Sequence, residues 1–371
     1  MKIAYLNSIC QKYDAISTAI REEIGWLRAA GHEVRLFAYA CEFDDVPCTI
    51  VNRETDVIFD PYFQQCDMAV FHFGVFYPLF NVLLTAPKQA RRIVVFHNVT
   101  PKHVLPAASH ALIDRSMAQM ANIAFADHVV CVSDTNLAVL REAGVNVPAS
   151  VLPLAVHTRL AAPHAKPSFA DDVVRIAFVG RLVQSKGPLD LLSVAGMLLA
   201  QDQRLRLRLD MVANLGFSDA QVVAAVRQQL ERLGRQFGPR LDARLHGNAP
   251  EELKQQVLTE ADVFVLPTHH EGFCVPILEA LASGCRVVCY DNSNTPAVSG
   301  GLSVLVPTGD VAALALATGA EVERVLGAAW RSGGGYEEAG RRARAHLDCF
   351  SVDNVRARFL AFIGQQASYR Y

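Results

Sequence analysis

The segment DVFVLPTHHEGFCVPILEALASGCRVVCY, residues 262–290, holds a complete strand–helix–strand unit. Its first run, 262–267, is apolar without alternation and stops at Pro267. A Gly-containing turn follows, Pro276 stands where the first turn of a helix tolerates proline, and Gly284 closes that helix. CRVVCY (285–290) is the next apolar run. Strands that stay apolar without alternating are buried on both faces, the mark of a parallel sheet layered between helices.

The same pattern repeats on either side. KIAYLN (2–7), VRLFAYA (34–40), MAVFHF (68–73), RIVVFHN (92–98) and HVVCVS (128–133) supply strands in the first half. VVRIAFVG (173–180), RLRLDMV (206–212) and SVLV (303–306) join the two runs above in the second. Between the first two strands, Ile16, Ile20, Ile24 and Leu27 form the inward stripe of a helix that Gly31 stops; Arg21, Glu22, Glu23 and Arg28 fall largely on its other side. A chain of 371 residues exceeds one ordinary core. LAAPHAKPSFADD (160–172) has no periodicity and suits a linker. The expected plan is therefore an α/β protein of two doubly wound domains facing across a cleft: 1–158, a linker at 159–172, and 173–349. A last helix, 350–371, carries the stripe Val352, Val355, Phe359 and Phe362.

Composition excludes several classes. Apolar residues at 51% and charged ones at 19% argue against extended disorder. A net charge of −2 gives no global attraction to nucleic acid. No run of apolar residues is long enough for a membrane span, and the N-terminus lacks the pattern of a signal peptide. Nine scattered cysteines without C-x-x-C suit buried thiols in a reducing compartment, and the expected address is the cytoplasm. Basic clusters (Lys88, Arg91, Arg92, and arginines 341, 342, 344, 356 and 358) are compatible with peripheral contact at the inner face of a membrane, or equally with solvated helix faces.

In doubly wound sheets ligands bind beyond the carboxyl ends of the strands. Gly180 permits a tight turn after the first strand of the second half, and Arg181 and Lys186 then flank a helix start at Pro188. Two cations beside a helix N-terminus suit a diphosphate, although a solvated loop would carry them as readily. Glu271 and Glu279 bracket the turn after 262–267. Glu279 is placed in the first helical turn, where the dipole favours a carboxylate and where it could also accept two ribose hydroxyls. Spacing alone carries little, since Glu252 and Glu260 share it.

Taken in register, FVGRLVQSKG, LHGNAPEELKQQVLTEADVFVLPTHHEGFCVPILEALASGCRVV and LVPTGD resemble the donor domain of retaining family 4 glycosyltransferases of the GT-B fold. AGHEVRLFAY (30–39), VVFHN (94–98) and HVVCVSD (128–134) extend the resemblance more weakly. It implies two Rossmann-like domains with the last helix crossing back to the first. It implies donor binding by Gly180, Arg181, Lys186, Asn248, Glu271, Gly272, Phe273, Cys274, Val275 and Glu279, with Ala15 from the first half. Arg181 and Lys186 would hold the diphosphate, Glu279 the ribose and Glu271 the sugar, while His97 would touch the sugar or phosphate from the end of its strand. The family motif commonly has glycine where Cys274 stands, and many relatives carry Gly-Gly where counting back from Gly31 gives Asp14 and Ala15. Asp14 suits a helix N-cap or a partner for an acceptor hydroxyl. His72, Asn98 and Lys102 complete the acceptor-side candidates.

The expected reaction is retaining, metal-independent transfer of a hexosyl group from a UDP- or GDP-sugar to a hydroxyl of a glycan, glycolipid or small molecule, in polysaccharide or lipopolysaccharide synthesis. No resident cofactor is expected, and no Asp-x-Asp occurs to hold a metal. The alternatives are a sugar-nucleotide epimerase, a glycoside phosphorylase, or a non-catalytic sugar-nucleotide binding protein. Donor base, acceptor and oligomeric state are not encoded in any motif.

Overall fold

The computed structural model describes residues 1–157 and 166–369. The chain divides into two units, Met1–Ala155 with Phe350–Tyr371, and Val156–Cys349.

The first unit is built on seven parallel strands: β1 Lys2–Leu6, β2 Glu33–Ala38, β3 Cys48–Ile50, β4 Met68–Phe73, β5 Arg91–Phe96, β6 His128–Cys131 and β7 Ala149–Val151. Their order is 3-2-1-4-5-6-7. The second unit repeats the plan with β8 Val174–Val179, β9 Leu207–Ala213, β10 Leu241–Gly247, β11 Val263–Leu266, β12 Arg286–Asp291 and β13 Ser303–Pro307, in the order 10-9-8-11-12-13. Both are doubly wound sheets whose order reverses beside the first strand, between β1 and β4 and between β8 and β11. Central strands are buried along almost their whole length: all six residues of β4 and all four of β11 are inaccessible.

Helix α1 (Ala15–Ala29) covers the first sheet with Ile20, Ile24 and Leu27 buried. Glu23 is buried too, at 8% exposure, which overturns its placement on the solvent side. Helix α5 (Val352–Ser368) returns to this unit and packs on α1 through Val355, Phe359 and Ile363. Trp26 meets Phe359 edge-on at 5.8 Å, and Gln366 Oε1 accepts from Arg91 Nε at 3.2 Å. A cavity of about 20 Å³ remains beneath the helix, lined by Glu23, Trp26, Val70, Val95 and Phe359. Phe359 is 3% exposed, so Phe359→Ala should remove about 3–5 kcal/mol from this unit, read as a lowered denaturation midpoint with Trp26 fluorescence as probe.

The expected linker at 159–172 ends in packed structure. Residues 159–165 lie outside the described residues, but Lys166 and Ser168 are core groups of the second unit. Lys166 Nζ donates to the carbonyls of Thr259 (2.8 Å) and Ser283 (2.6 Å), and Ser168 Oγ donates to Asp262 Oδ1 (2.5 Å). A Pro- and Ala-rich stretch hid one long side chain whose amine is satisfied by two carbonyls.

The basic clusters are largely engaged within the units. Arg92 pairs with Asp127 at 2.7 Å, Arg91 binds Gln366, Arg356 pairs with Asp353, Arg341 with Glu338, and Arg358 donates to the Val151 carbonyl. Among the described residues no helix is long and apolar enough to cross a membrane.

Candidate active site

In the second unit β8 ends at Val179, and a single 3₁₀ turn, Gln184–Lys186, leads to α2 (Pro188–Gln201). Gly187 caps α2 in the left-handed region, φ +61°. A Cβ at Gly187 would lie 2.1 Å from the Pro267 carbonyl oxygen, so only glycine lets the two strand-end loops approach this closely. Hydrogen bonds then join them: His269 N donates to the Ser185 carbonyl at 2.8 Å, and Thr268 Oγ1 to the same oxygen at 3.3 Å.

That approach brings Lys186 Nζ to 2.5 Å from Glu271 Oε1, with side chains 17% and 10% exposed. Two residues expected to serve separate parts of the donor are thus one ion pair. An anion entering there meets an ammonium already held in place by a carboxylate, in surroundings where charges interact more strongly than in water. Arg181, just after Gly180, is exposed, and its carbonyl accepts from Val183 N at 3.0 Å. Asp190 in the first turn of α2 accepts from Tyr290 Oη at 2.9 Å, and burial followed by that carboxylate pushes the Tyr290 phenol well up.

Helix α4 (Val275–Ala282) begins one residue after Cys274, which sits at φ +82° and is 4% exposed. Where the resembled family commonly has glycine, the backbone of Cys274 takes the conformation glycine favours, and the thiol is packed inside. Burial, then Glu271, pushes the Cys274 thiol well above its ordinary pKa, leaving it no part as a nucleophile. Phe273 is buried and its carbonyl accepts from Asn294 Nδ2 at 2.8 Å.

Glu279 lies one turn deeper in α4 than its sequence placement, outside the first turn, so the helix dipole does not account for it. Its partner is Lys254 on α3 (Glu251–Glu260), with Nζ 2.7 Å from Oε1. Burial would lower the Lys254 pKa, but Glu279 and then Glu251, 2.9 Å away, outweigh it and hold the ammonium charged. No sequence signal marks Lys254, a lysine within an ordinary amphipathic helix. Asn248 directly follows β10. At φ +52° its Oδ1 accepts from Leu215 N at 2.8 Å, tying the loop after β10 to the loop after β9.

In the first unit Asp14 is the N-cap of α1, accepting from Ser17 N at 2.8 Å. The left-handed residue of that loop is Tyr13 (φ +65°), and Ala15 is the exposed first residue of the helix. After β5, half-buried His97 is followed by Asn98 at φ +76°. The Asn98 Oδ1 accepts from Val99 N at 2.7 Å, while its buried Nδ2 has no hydrogen-bond partner among the described residues. Gly74 lies against both, since a Cβ there would be 3.4 Å from the Asn98 carbonyl and from His97 Cβ. His72 is corrected: at 1% exposure it cannot meet an acceptor directly, because β4 alternation turns it away from Phe71 and Phe73 into the layer under α1. Its Nδ1 is 2.9 Å from His97 Nε2. Lys102 forms a surface ion pair with Asp114, both side chains largely exposed.

Two Rossmann-like units in one chain, each with its polar residues at the strand ends, define the GT-B fold of glycosyltransferases. The likeness to solved structures covers both units: the sucrose-phosphate synthase of Thermosynechococcus elongatus is 18% identical with a TM-score of 0.72, covering 99% of this chain and 99% of that one. Residues 173–321 match the family model of Glycosyl transferases group 1. Among curated proteins, a D-inositol 3-phosphate glycosyltransferase of Geodermatophilus obscurus is 33% identical over 54% of this chain and 43% of its own length. The O-antigen chain mannosyltransferase B of Escherichia coli is 31% identical over 37% of this chain and 34% of its own length. The chain therefore aligns with less than half the length of these curated relatives.

Proposed function

We propose that the chain is a glycosyltransferase that takes a hexosyl group from a nucleoside-diphosphate sugar and transfers it, with retention at the anomeric carbon, to a hydroxyl of a glycan or lipid-linked acceptor. The observation that carries this reading is a pair of part-buried ion contacts, Lys186 to Glu271 between neighbouring strand-end loops and Lys254 to Glu279 between α3 and α4. The bond between the anomeric carbon and the diphosphate oxygen breaks as the acceptor oxygen bonds to that carbon. The acceptor proton passes to a phosphate oxygen of the leaving group. Lys186 and Arg181 meet the charge that grows on the diphosphate. Glu271 orients the sugar, and one oxygen of Glu279 accepts from the ribose while Lys254 holds the other. The resemblance assigns His97 to the transferred sugar or the donor phosphate. The mannosyltransferase relative favours a role in polysaccharide synthesis.

Thermal unfolding with UDP-, GDP- and ADP-sugars tests the donor, since a ligand at a hundred times its Kd adds about 2.7 kcal/mol. No shift with any of them sinks the proposal. Glu279→Ala should weaken nucleotide binding roughly tenfold to a hundredfold, the scale of a hydrogen bond to a charged group. Lys254 keeps Glu251 in that variant, so the fold should hold. Calorimetric titration with the free nucleotide reads the change directly.

A further inference from the structure

We propose that Lys166 is a positioning residue for the nucleotide: its amine locks the C-terminal ends of α3 and α4 together and so sets the spacing at which Lys254 holds Glu279. The role of Glu279 toward a ribose rests on the function proposed above; the lock itself does not.

Lys166 is 3% exposed, and burying an amine is costly unless acceptors meet it. Its Nζ donates to the Thr259 carbonyl at 2.8 Å and to the Ser283 carbonyl at 2.6 Å. Thr259 lies in the last turn of α3 and Ser283 is the C-cap of α4, so one side chain joins the ends of two helices. Carbonyls at helix ends lack partners within their own helix and need them from elsewhere. Cys285, two residues past the cap of α4, adds a second stitch, its Sγ donating to the Leu258 carbonyl of α3 at 3.2 Å. The segment that carries Lys166 is pinned in turn. Ser168 Oγ donates to Asp262 Oδ1 at 2.5 Å, and Asp262 Oδ2 accepts from Arg175 N of β8 at 2.8 Å.

Lys254 stands five residues before Thr259 and Glu279 four before Ser283, about 7.5 and 6 Å back along the two axes. Their contact of 2.7 Å is therefore a second rung, roughly one helical turn from the first. Two rungs between neighbouring helices fix both separation and slide. One rung on the flexible stem of Lys254 fixes neither. Without Lys166 the Glu279 carboxylate keeps its lysine, but the oxygen left for a ribose is no longer held in one place.

Calorimetric titration of the full chain with UDP, GDP and ADP, each beside its 2′,3′-dideoxy counterpart, tests the role, because a general weakening of the fold affects both forms alike. The wild type should prefer the ribonucleotide. In Lys166→Met that preference should fall about tenfold, the scale of one hydrogen bond to a charged group, while dideoxynucleotide affinity stays within about twofold. An unchanged preference, or an equal loss for both forms, overturns the proposal. If Lys166→Met does not fold, Lys166→Gln, whose amide N–H groups fall one atom short, is held to the same outcomes. If no nucleotide binds the wild type, the proposed function fails and the lock is read without ligand. Lys254→Met, Glu279→Gln and their double variant give the coupling of that pair by urea denaturation, and it should shrink when Lys166 is replaced. An unchanged coupling overturns the proposal in either case.

Discussion

Lys186→Ala should lower turnover about 10²–10³-fold, the usual effect of removing one group that meets developing charge in a water-poor site. The structure adds a second effect. Glu271 would lose its ammonium while remaining about nine-tenths buried, and breaking a buried pair on one side commonly costs about 3–5 kcal/mol. A fall in rate from this variant alone therefore mixes chemistry with a weakened loop. The double variant Lys186→Ala with Glu271→Gln separates them, because a neutral amide has no charge to leave unpaired. Stability by urea denaturation should recover in the double variant while transfer stays low. Transfer within threefold of wild type in either variant removes Lys186 from the leaving-group role.

The second large effect is steric. Gly187→Ala places a methyl 2.1 Å from a backbone oxygen at a residue with φ +61°. The left-handed backbone costs an alanine about 1–2 kcal/mol and the forced separation of the loops about 1–3 more. Gly309 is the control: it shares a positive φ, +83°, but has nothing within 4 Å of an added Cβ. Gly309→Ala should lose only the backbone part. Nucleotide binding should fail in Gly187→Ala and survive in Gly309→Ala, since Lys186 reaches Glu271 only while the loops touch. Equal stability losses in the two variants would show that the close approach is not what this glycine provides.

Much of this was legible in the sequence because central strands of a doubly wound sheet are apolar throughout, as in VRIAFV and MAVFHF. The missed strands are edge strands, which face solvent and carry its residues. In β10 Asp242, Arg244 and His246 alternate along one face, and charge on an edge discourages pairing with other chains. The strand-end motif placed Lys186 and Glu271 near the site, but spacing cannot say that they pair, because their contact depends on a carbonyl approaching Gly187. Glu23 and Lys254 escaped for a related reason. Each is a polar side chain buried by a partner far away in sequence, and periodicity assigns such residues to solvent. Asp14 was readable because a cap is local, accepting from an amide three residues on.

The return of α5 to the first unit has a consequence for biosynthesis. The ribosome completes Met1–Ala155 long before it reaches Val352–Ser368, with the whole of the second unit made in between. Until that late segment emerges, the nascent first unit shows Trp26, Val70 and Val95 to water instead of to Phe359. The second unit is continuous in sequence and meets no such delay, so it can finish while its predecessor still waits, reversing the usual order in which nascent domains mature.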